Sequence, residues 1–450
     1  MPTATSEIER PLTRPPSGGL RADALAVLGG LLLVVAAALV GRWLVAGGTN
    51  IFLGWPPLLA SWAPHVGPGT APAILTAVTV ILAGPALAAR MHWRSLLVTA
   101  WGTAAGWTLS LALVDGWRDG VIARLTSDQE YLYDVPRVTD IPAALATFAD
   151  HILTDRPGFW VTHVGAHPPG ALLTFVWLDR LGLGGGGPAG LFVILVGASA
   201  CVAVAVTLRA LASEGLARKV LPYGVLLPGT VWIGVSADGM FAGVLAWGVA
   251  LLALGTTGAG RRADLTALGG GLLLGWTLYL SYGLVLGGLL PIAVLAATRA
   301  WRALVLGSVG MGLVVVAFSV AGFWWFTGFG RVTVIYALSA AQSRPYWYFV
   351  WANLAALAFA IGPAVLAGLR RFAAQPRALP LAAALLVGAA VLAVLVADIS
   401  GLSKAEVERI WLPFAVWMVV PCALLPRPRA WLAVQATFAL LVNHLLLTVW

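Results

Sequence analysis

The chain has 450 residues, of which 60% are hydrophobic and only 10% are charged, and its formal net charge is +9. A soluble domain carries roughly 25% charged residues, so this composition, with a mean hydropathy of +0.91, excludes a soluble domain of any size. The sequence instead predicts an all-α polytopic membrane protein, because apolar blocks of about 20 residues are long enough to cross a bilayer as helices.

The positive charge does not indicate a nucleic-acid-binding protein. An excess of arginine in a membrane protein is typical of short cytoplasmic loops, and no basic stripe with interleaved aromatic residues lies outside the apolar blocks. Lysine is scarce while arginine, alanine and glycine are abundant, which is typical of a high-GC bacterial genome. Cys201 and Cys422 both lie in apolar blocks, where core positions are favoured over a disulfide or a metal pair.

In chain order, residues 1–22 predict a disordered cytoplasmic tail, and residues 23–450 predict one membrane domain with a large external loop at 115–166. The apolar blocks lie at about 24–46, 71–90, 95–114, 167–181, 189–212, 219–235, 239–257, 264–281, 283–298, 303–326, 347–369, 378–397, 409–425 and 430–449.

The distribution of arginines predicts the orientation of the chain. With the N-terminal residues inside, the 115–166 loop lies outside, but every basic loop after Arg209 would also lie outside if all blocks spanned. The later basic loops lie inside, as the positive-inside rule requires, if one earlier block does not cross the membrane. The block 167–181 is the best candidate, because its uninterrupted apolar core, Ala171–Leu178, is roughly 12 Å long as a helix. We therefore expect about 13 transmembrane helices, plus one short re-entrant or interfacial segment at 167–181.

The 115–166 loop is unusually acidic for a protein of this class. It contains eight of the 18 acidic residues, namely Asp115, Asp119, Asp128, Glu130, Asp134, Asp140, Asp150 and Asp155. A carboxylate-rich loop between membrane segments indicates a site where a carboxylate acts as a general base or binds a divalent ion. A solvated loop without function is the alternative for any single residue.

Residues 139–153 predict a short amphipathic helix. Thr139 or Asp140 can cap it, Pro142 falls in its first turn, and apolar residues recur along one stripe. Such a helix is typical of the membrane interface, and it could also frame a groove for a lipid-linked substrate.

Two histidines follow the loop in the sequence His163-Val-Gly-Ala-His167-Pro-Pro-Gly170. Their spacing permits a metal pair, although the two prolines disfavour a continuous helix. A structural or substrate-contacting role is favoured for His167. Asp238, between two apolar blocks, is either a helix cap or a substrate contact.

The segment Ser403-Lys404-Ala-Glu406-Val-Glu408-Arg409 combines charges at the edge of an apolar block. Lys404 and Glu408 could pair across one helical turn. Arg409 could bind a phosphate head group or extend to the interface as a plain anchor. With the predicted orientation, this segment, Asp238, and the 327–346 loop with Arg331 and Arg344 lie on the same outer face as the acidic loop.

Other chemistries have little support. The sequence contains neither a phosphate-binding P-loop nor a Gly-x-Ser-x-Gly nucleophile motif. Charged residues inside the apolar blocks are rare, which disfavours a proton-coupled transporter.

The order of these parts resembles the C-type (GT-C) membrane glycosyltransferases, which use polyprenyl-phosphate-linked sugars. Asp128-Gln-Glu130-Tyr131 is similar to the acidic motif in their first large external loop. His167-Pro-Pro-Gly170 is similar to the motif that begins the next membrane segment in protein O-mannosyltransferases and aminoarabinose transferases. Glu406-Val-Glu408-Arg409-Ile-Trp411 is similar to a late Glu-x-x-Arg-x-Trp element of some bacterial members.

The resemblance implies transfer of a sugar, with inversion, from a polyprenyl-phosphate donor to a cell-envelope glycan, lipid or protein at the outer face of a bacterial plasma membrane. It implies that a loop carboxylate is the general base, with Asp115, Asp128 and Glu130 eligible and Asp128 preferred. The donor phosphate would leave toward Arg409, Lys404, Arg331 or Arg344. Members differ in metal need, so a divalent metal could replace direct cation contacts; His167, Asp238 and Glu406 complete the candidate substrate site.

Three other functions fit the same layout. A lipid-linked-glycan flippase or transporter would need polar residues along its spans, whereas this chain concentrates them at one face. A surface-polysaccharide polymerase or ligase would share the architecture. A non-catalytic scaffold of an envelope complex would need no site at all.

Overall fold

The computed structural model describes residues 19–155 and 157–450. The first helix begins at Gly19, so residues 19–22 belong to a helix and not to the expected tail. The rest of that predicted tail lies outside the described residues.

Helices dominate the chain. In order they are α1 Gly19–Ala46, α2 Thr70–Arg90, α3 Trp93–Ala112, α4 Tyr131–Asp134, α5 Ile141–Thr147, α6 Thr162–Gly165, α7 Pro169–Leu178, α8 Gly186–Ala198, α9 Ala200–Leu211, α10 Glu214–Val225, α11 Thr230–Ile233, α12 Ala237–Thr257, α13 Gly260–Leu280, α14 Leu289–Thr298, α15 Trp301–Val320, α16 Trp325–Leu338, α17 Ala340–Ser343, α18 Tyr346–Ala374, α19 Leu381–Ile399, α20 Val407–Ile410, α21 Leu412–Ala415 and α22 Pro428–Leu445.

The remaining regular elements are short. Within the described residues the only strands are β1 (Ala60–Trp62) and β2 (Leu446–Thr448), which pair antiparallel. The 3₁₀ segments are Leu113–Asp115, Ala123–Leu125, Val135–Arg137, Phe148–His151, Tyr282–Gly288, Pro376–Ala378 and Val420–Leu424, and the π-helical segments are Arg118–Ile122 and Asp179–Leu183.

Eight segments are long and apolar enough to cross a membrane. They are Gly19–Ala46, Thr70–Arg90, Trp93–Asp115, Gly186–Leu211, Ala237–Thr257, Trp301–Val320, Tyr346–Ala374 and Leu381–Ile399. Two shorter apolar helical stretches are Tyr282–Thr298 and Leu412–Leu424. The expectation of an all-helical multi-pass membrane protein is therefore confirmed at this level.

Many arginines lie where helices meet at one end of the bundle, which we call the basic end. The guanidinium of Arg218, in α10, donates to the carbonyl oxygens of Ala88 and Met91 at the end of α2, at 2.5 and 3.0 Å. Arg371, near the end of α18, pairs with Asp23 at the start of α1 at 2.6 Å. These contacts hold antiparallel neighbours together and satisfy charges at the ends of apolar helices.

The opposite helix ends form a second surface, which we call the acidic end. The amide of Gly69, before α2, donates to the carbonyl of Leu113, after α3. Arg344, before α18, donates to the carbonyl of Ile51, after α1, at 3.1 Å. The 115–166 loop, the start of α12 and the 400–406 turn all reach this end.

Small residues let the central helices pack closely. A Cβ atom on Gly271 of α13 would lie 2.0 Å from the carbonyl oxygen of Gly307 of α15, so a larger residue cannot fit there without a shift. Close helix packing through glycine and alanine is typical of membrane proteins, where burial of apolar surface alone does not hold helices together.

The 115–166 loop is folded, and its amphipathic segment largely follows the sequence prediction. Helix α5 starts after Asp140, whose side chain accepts a hydrogen bond from the amide of Ala143 at 2.9 Å, so the predicted cap is confirmed. Phe148 and Ile152 are buried, and Phe148 stacks on Trp160. This face packs on the protein and not on the membrane surface alone.

Helix α7 occupies the block that we expected not to span. It has 10 residues and is not among the eight candidate spans. Phe175 of α7 stacks on Tyr131 at 5.4 Å, and Arg180 beyond it donates to the carbonyl of Thr139 at 2.9 Å. The second half of the segment therefore lies against the acidic loop.

Candidate functional site

The structure brings six side chains from distant parts of the chain together at the acidic end, around the guanidinium of Arg409. We call this the Arg409 cluster, and its members are Glu130, His163, Asp238, Glu406, Arg409 and Trp450. Arg409 is only 6% exposed, which is rare for an arginine that does not bind a partner.

Two carboxylates hold the two ends of the Arg409 guanidinium. Nη1 donates to Asp238 at 2.5 Å, and Nη2 donates to Glu406 at 2.7 Å. Asp238 lies in the first turn of α12, but the N-cap residue of this helix is Ser236. The capping alternative for Asp238 is therefore wrong, and its carboxylate is used for the ion pair.

Glu130 and His163 form the other wall of the cluster. His163 Nδ1 lies 3.2 Å from Glu130 Oε1 and 3.0 Å from the carbonyl oxygen of Gln129. His163 Nε2 lies 3.2 Å from Arg409 Nη2. Because a guanidinium can only donate, Nε2 of His163 is the acceptor in this contact and Nδ1 is the nitrogen that can donate to the Gln129 carbonyl.

A strained turn aims Glu406 at Arg409. Ala405 and Glu406 have φ angles of 74° and 62°, which residues other than glycine rarely adopt. Asn353, buried in α18, holds this turn: its side-chain oxygen accepts from the amide of Ala405, and its nitrogen donates to Asp398 and to the carbonyl of Ser403. Backbone strain of this kind concentrates at functional sites.

The cluster is electrostatically unbalanced. Burial alone lowers the pKa of Arg409, but the carboxylates of Asp238, Glu406 and Glu130 more than offset it, so the pKa lies above its ordinary value and the charge persists. Arg344 is the second cation, with Nη2 3.9 Å from Glu406. The carboxylates of Glu130, Asp238 and Glu406 thus surround the guanidinium of Arg409, and Arg344 adds a second positive charge beside Glu406.

Two further titratable groups lie beside the cluster. Burial lowers the pKa of His167 to about 4, so this imidazole is neutral near pH 7. Burial raises the pKa of Glu408 to about 7, and the Glu406 carboxylate adds to the shift. Tyr131 contacts both His163 and His167 and stacks on Phe175, which fixes the site against α7.

Some predicted site residues lie outside the cluster. Asp128 is exposed on the loop, whereas Glu130, two residues later, is buried, because the turn between them points the side chains in different directions. Asp115 pairs with His65 and Arg124. Arg331 pairs with Asp150, which is half exposed. The geometry therefore favours Glu130 among the three carboxylates considered as base.

Lys404 lies at the edge of the site but not in the predicted pair. Its Nζ is 3.4 Å from the carbonyl oxygen of Ala341, and Glu408 is buried away from it. The helical i,i+4 pairing of Lys404 with Glu408 is wrong, because the helix begins only at Val407. Arg344, with Nη2 3.9 Å from Glu406, donates to the carbonyl oxygen of Lys404 at 2.6 Å.

The sequence analysis missed two functional candidates. His163 was considered only as half of a metal pair with His167, and Trp450 was not considered. The indole of Trp450 covers Arg409 at 3.9 Å and donates to Glu130 at 3.1 Å. No local pattern signals this role, because it depends on the pairing of β2 with β1, far apart in the sequence.

The donor set does not fit a metal site. Within the described residues, no group of three or more His, Cys, Asp or Glu side chains is arranged to hold a metal ion. The carboxylates of Asp238 and Glu406 point at Arg409, whose guanidinium stands where a cation would bind. A divalent metal therefore enters no step below.

The buried Glu408 carboxyl gives a pH-dependent prediction. Its pKa rises from 4.5 to about 7 on folding, so the folded state binds the proton more tightly and the free energy of unfolding falls as pH rises through that range. We expect Glu408→Gln to be more stable than the wild type by roughly 1–3 kcal/mol near pH 8, with the difference shrinking toward about pH 5. Thermal unfolding in detergent over this range measures it.

Asp128→Asn is the matched control for this measurement, since Asp128 is exposed and should leave the pH profile unchanged. If Glu408→Gln keeps the pH dependence of the wild type, the buried carboxyl is not the group responsible.

Comparisons of the chain with protein-family models, with curated proteins and with solved structures found no match. Family membership is therefore not shown. The short motifs noted in the sequence remain a resemblance, and the geometry of the Arg409 cluster has to support the function independently.

Proposed function

We propose that this protein is a membrane glycosyltransferase of the C type, which moves a sugar from a polyprenyl-phosphate donor to an envelope glycan, lipid or protein acceptor. The single observation that carries the proposal is the Arg409 cluster. A cluster of buried charges at the end of a membrane bundle is costly unless it serves a function, and this one combines a carboxylate base with cations suited to a phosphate.

The proposed topology has thirteen crossings. They are the eight candidate spans together with residues 214–233, 260–280, 282–298, 412–424 and 428–445, and the proposal has each of them run between the basic and the acidic end. The basic end faces the cytoplasm under the positive-inside rule, and the acidic end faces outward. In a bacterium this places the protein in the plasma membrane with the Arg409 cluster at its outer face.

Glu130 is the proposed general base. The acceptor hydroxyl oxygen attacks the anomeric carbon of the donor sugar while its proton passes to a Glu130 oxygen. The bond between the anomeric carbon and the phosphate oxygen breaks, and the lipid phosphate leaves. Attack opposite to the leaving group inverts the anomeric centre. Burial to 5% exposure keeps water away from this carboxylate and supports the assignment.

The leaving phosphate is proposed to meet Arg344 and Lys404 first and Arg409 next. Arg344 and Lys404 border the 400–406 turn, and Arg344 already donates to the carbonyl of Lys404 at 2.6 Å. Arg409 keeps its charge and has a buried Nε without a hydrogen-bond partner within the described residues. A phosphate oxygen would accept a hydrogen bond from that donor, and the charges of Arg409, Arg344 and Lys404 would offset its repulsion from the nearby carboxylates.

A transporter of lipid-linked glycans is less well supported. A transport path needs polar groups along the spans, whereas the charged side chains around Arg409 gather at one end of the bundle.

The first prediction concerns the base. Glu130→Gln keeps the shape of the side chain but cannot accept a proton, so turnover should fall by a factor on the order of 10² or more while donor binding is largely kept. Purified protein is assayed with a panel of radiolabelled polyprenyl-monophosphate sugars and a membrane extract as the acceptor source.

Asp128→Asn is the matched control, because it makes the same change two residues away on an exposed side chain. We expect its turnover to stay near that of the wild type. A severe loss in Asp128→Asn with normal turnover in Glu130→Gln would reverse the assignment.

The second prediction concerns Arg409. Arg409→Lys keeps a positive charge but loses the planar group that holds Asp238 and Glu406 together. Affinity for the polyprenyl-monophosphate sugar should fall roughly tenfold or more. Arg331→Lys is the control, since its ion pair with Asp150 is peripheral. Unchanged affinity in a folded Arg409→Lys protein would remove Arg409 from donor binding.

The third prediction concerns orientation. Single cysteines are introduced at Arg262, in the first turn of α13, and at Asp119, in the acidic loop. A membrane-impermeant maleimide should label position 119 and not position 262 in intact cells. Cys201 and Cys422 are buried and give a low background. Labelling of position 262 from outside contradicts the proposed topology.

A further inference from the structure

The segment 446–450 crosses the mouth of the Arg409 cluster, and we call it the strap. Its strand β2 pairs with β1 in the register Ala60↔Thr448, Ser61↔Leu447 and Trp62↔Leu446. The two residues that follow the strand carry the chain to the cluster, where the side chain of Trp450 is only 6% exposed.

Trp450 contacts three other members of the Arg409 cluster, of which the proposed reaction uses Glu130 and Arg409. Its ring lies 3.9 Å over the guanidinium of Arg409, and its Nε1 donates to Glu130 at 3.1 Å. Its ring also meets His163 edge to face, with the centroids 6.1 Å apart. The side chain of Trp450 thus covers Arg409, the proposed phosphate-binding group, and donates a hydrogen bond to Glu130, the proposed base.

A substrate cannot use these groups while Trp450 holds them. Glu130 Oε1 already faces two groups, Trp450 and His163. Both Nη atoms of Arg409 bind carboxylates, and the indole covers one face of its guanidinium. The remaining donor of Arg409, Nε, is fully buried. Access of an acceptor hydroxyl to Oε1 of Glu130 and of a phosphate to Arg409 therefore requires movement of the side chains that cover them, and Trp450 contacts both groups.

The strap is fastened by a second set of side chains outside the cluster. Arg124 donates to the carbonyl oxygens of Thr448 and Val449 at 2.8 and 2.6 Å, and it also pairs with Asp115. Asp115 in turn contacts His65 Nε2 at 2.7 Å. This arrangement gives Asp115 a role, since it fixes the arginine that holds the strap and does not touch the Arg409 cluster.

The backbone pairing of the strap is weak by itself. Each strand has three residues, and a two-stranded sheet of this length is marginally stable without side-chain support. Arg124 and Trp450 supply that support. The position of the strap can therefore shift when a ligand competes for Glu130 and Arg409.

We propose that the strap is a gate for the Arg409 cluster, in which Trp450 is the plug and the Asp115–Arg124 pair is the positioning element that sets how readily it opens. The ligands that it admits, a polyprenyl phosphate and an acceptor hydroxyl, rest on the proposed function. The movement of the strap itself does not.

A reversible disulfide between β1 and β2 tests whether the strap must move. Ser61 and Leu447 are directly opposite each other and exposed, and opposed residues in an antiparallel pair lie about 4.5–5.5 Å apart at Cα, which suits a disulfide. In the full-length Ser61→Cys/Leu447→Cys protein, oxidation should slow hydrogen exchange at 161–167 and 406–411. Transfer of sugar from the polyprenyl-monophosphate donor should fall roughly tenfold, and dithiothreitol should restore both.

The Ser61→Cys single variant is the control and should not respond to oxidation. If the oxidised double variant exchanges and turns over at the rates of its reduced form, the gate is overturned.

Loosening the strap should have the opposite effect on hydrogen exchange and on ligand binding. Arg124→Gln removes the fastening, so hydrogen exchange at 446–450 should rise and the dissociation constant for polyprenyl monophosphate should fall by roughly tenfold. Tighter binding after loss of an arginine is not expected if Arg124 binds the phosphate. Arg118→Gln, an exposed arginine nearby, is the matched control.

If Arg124→Gln does not fold, Trp450→Phe tests the same step, because it keeps an aromatic ring and loses the hydrogen bond to Glu130. Weaker ligand binding with unchanged exchange in these variants would overturn the gate. If neither the wild type nor any variant binds polyprenyl monophosphate, the proposed function fails, and the exchange data alone decide whether the strap is a gate.

Discussion

The burial of Arg409 between Asp238 and Glu406 is the interaction on which the acidic end of this protein depends. A guanidinium without partners at 6% exposure would be severely destabilising, so the two carboxylates must be held in place by the rest of the fold. The start of α12 supplies Asp238, and the strained turn anchored by Asn353 supplies Glu406. Removing either carboxylate would leave the buried charge of Arg409 without one of its partners. The ion pairs therefore couple these distant segments of the chain.

The sequence predicted the class of fold and several members of the site, but not their arrangement. Apolar blocks and arginine positions sufficed to predict a helical membrane protein with a short segment at 167–181, since length and charge act locally. The sequence could not show whether Asp128 or Glu130 lies in the site. Two neighbouring carboxylates in an irregular loop have no periodicity that indicates which one is buried. Trp450 could not be found, because its position follows from strand pairing between segments far apart in the chain.

The polar groups are divided between two tasks. Asp238, Glu406 and Arg409 form the buried centre, while in the proposed gate Asp115, Arg124 and the strap control what reaches it. A residue such as Asp115 can thus matter for activity without contacting a substrate. The same division explains why a list of acidic loop residues is a poor guide to catalysis, since several of them hold the loop and the strap in place.

The central claim is that the Arg409 cluster binds the phosphate of a polyprenyl-linked donor. A cryo-electron-microscopy structure of the protein in lipid nanodiscs with polyprenyl monophosphate tests it most directly. The account predicts phosphate density within hydrogen-bond distance of Arg409, on the side of Arg344 and Lys404, with the side chain of Trp450 displaced from Glu130. Density for the phosphate elsewhere, with Trp450 still covering Arg409, would contradict the account.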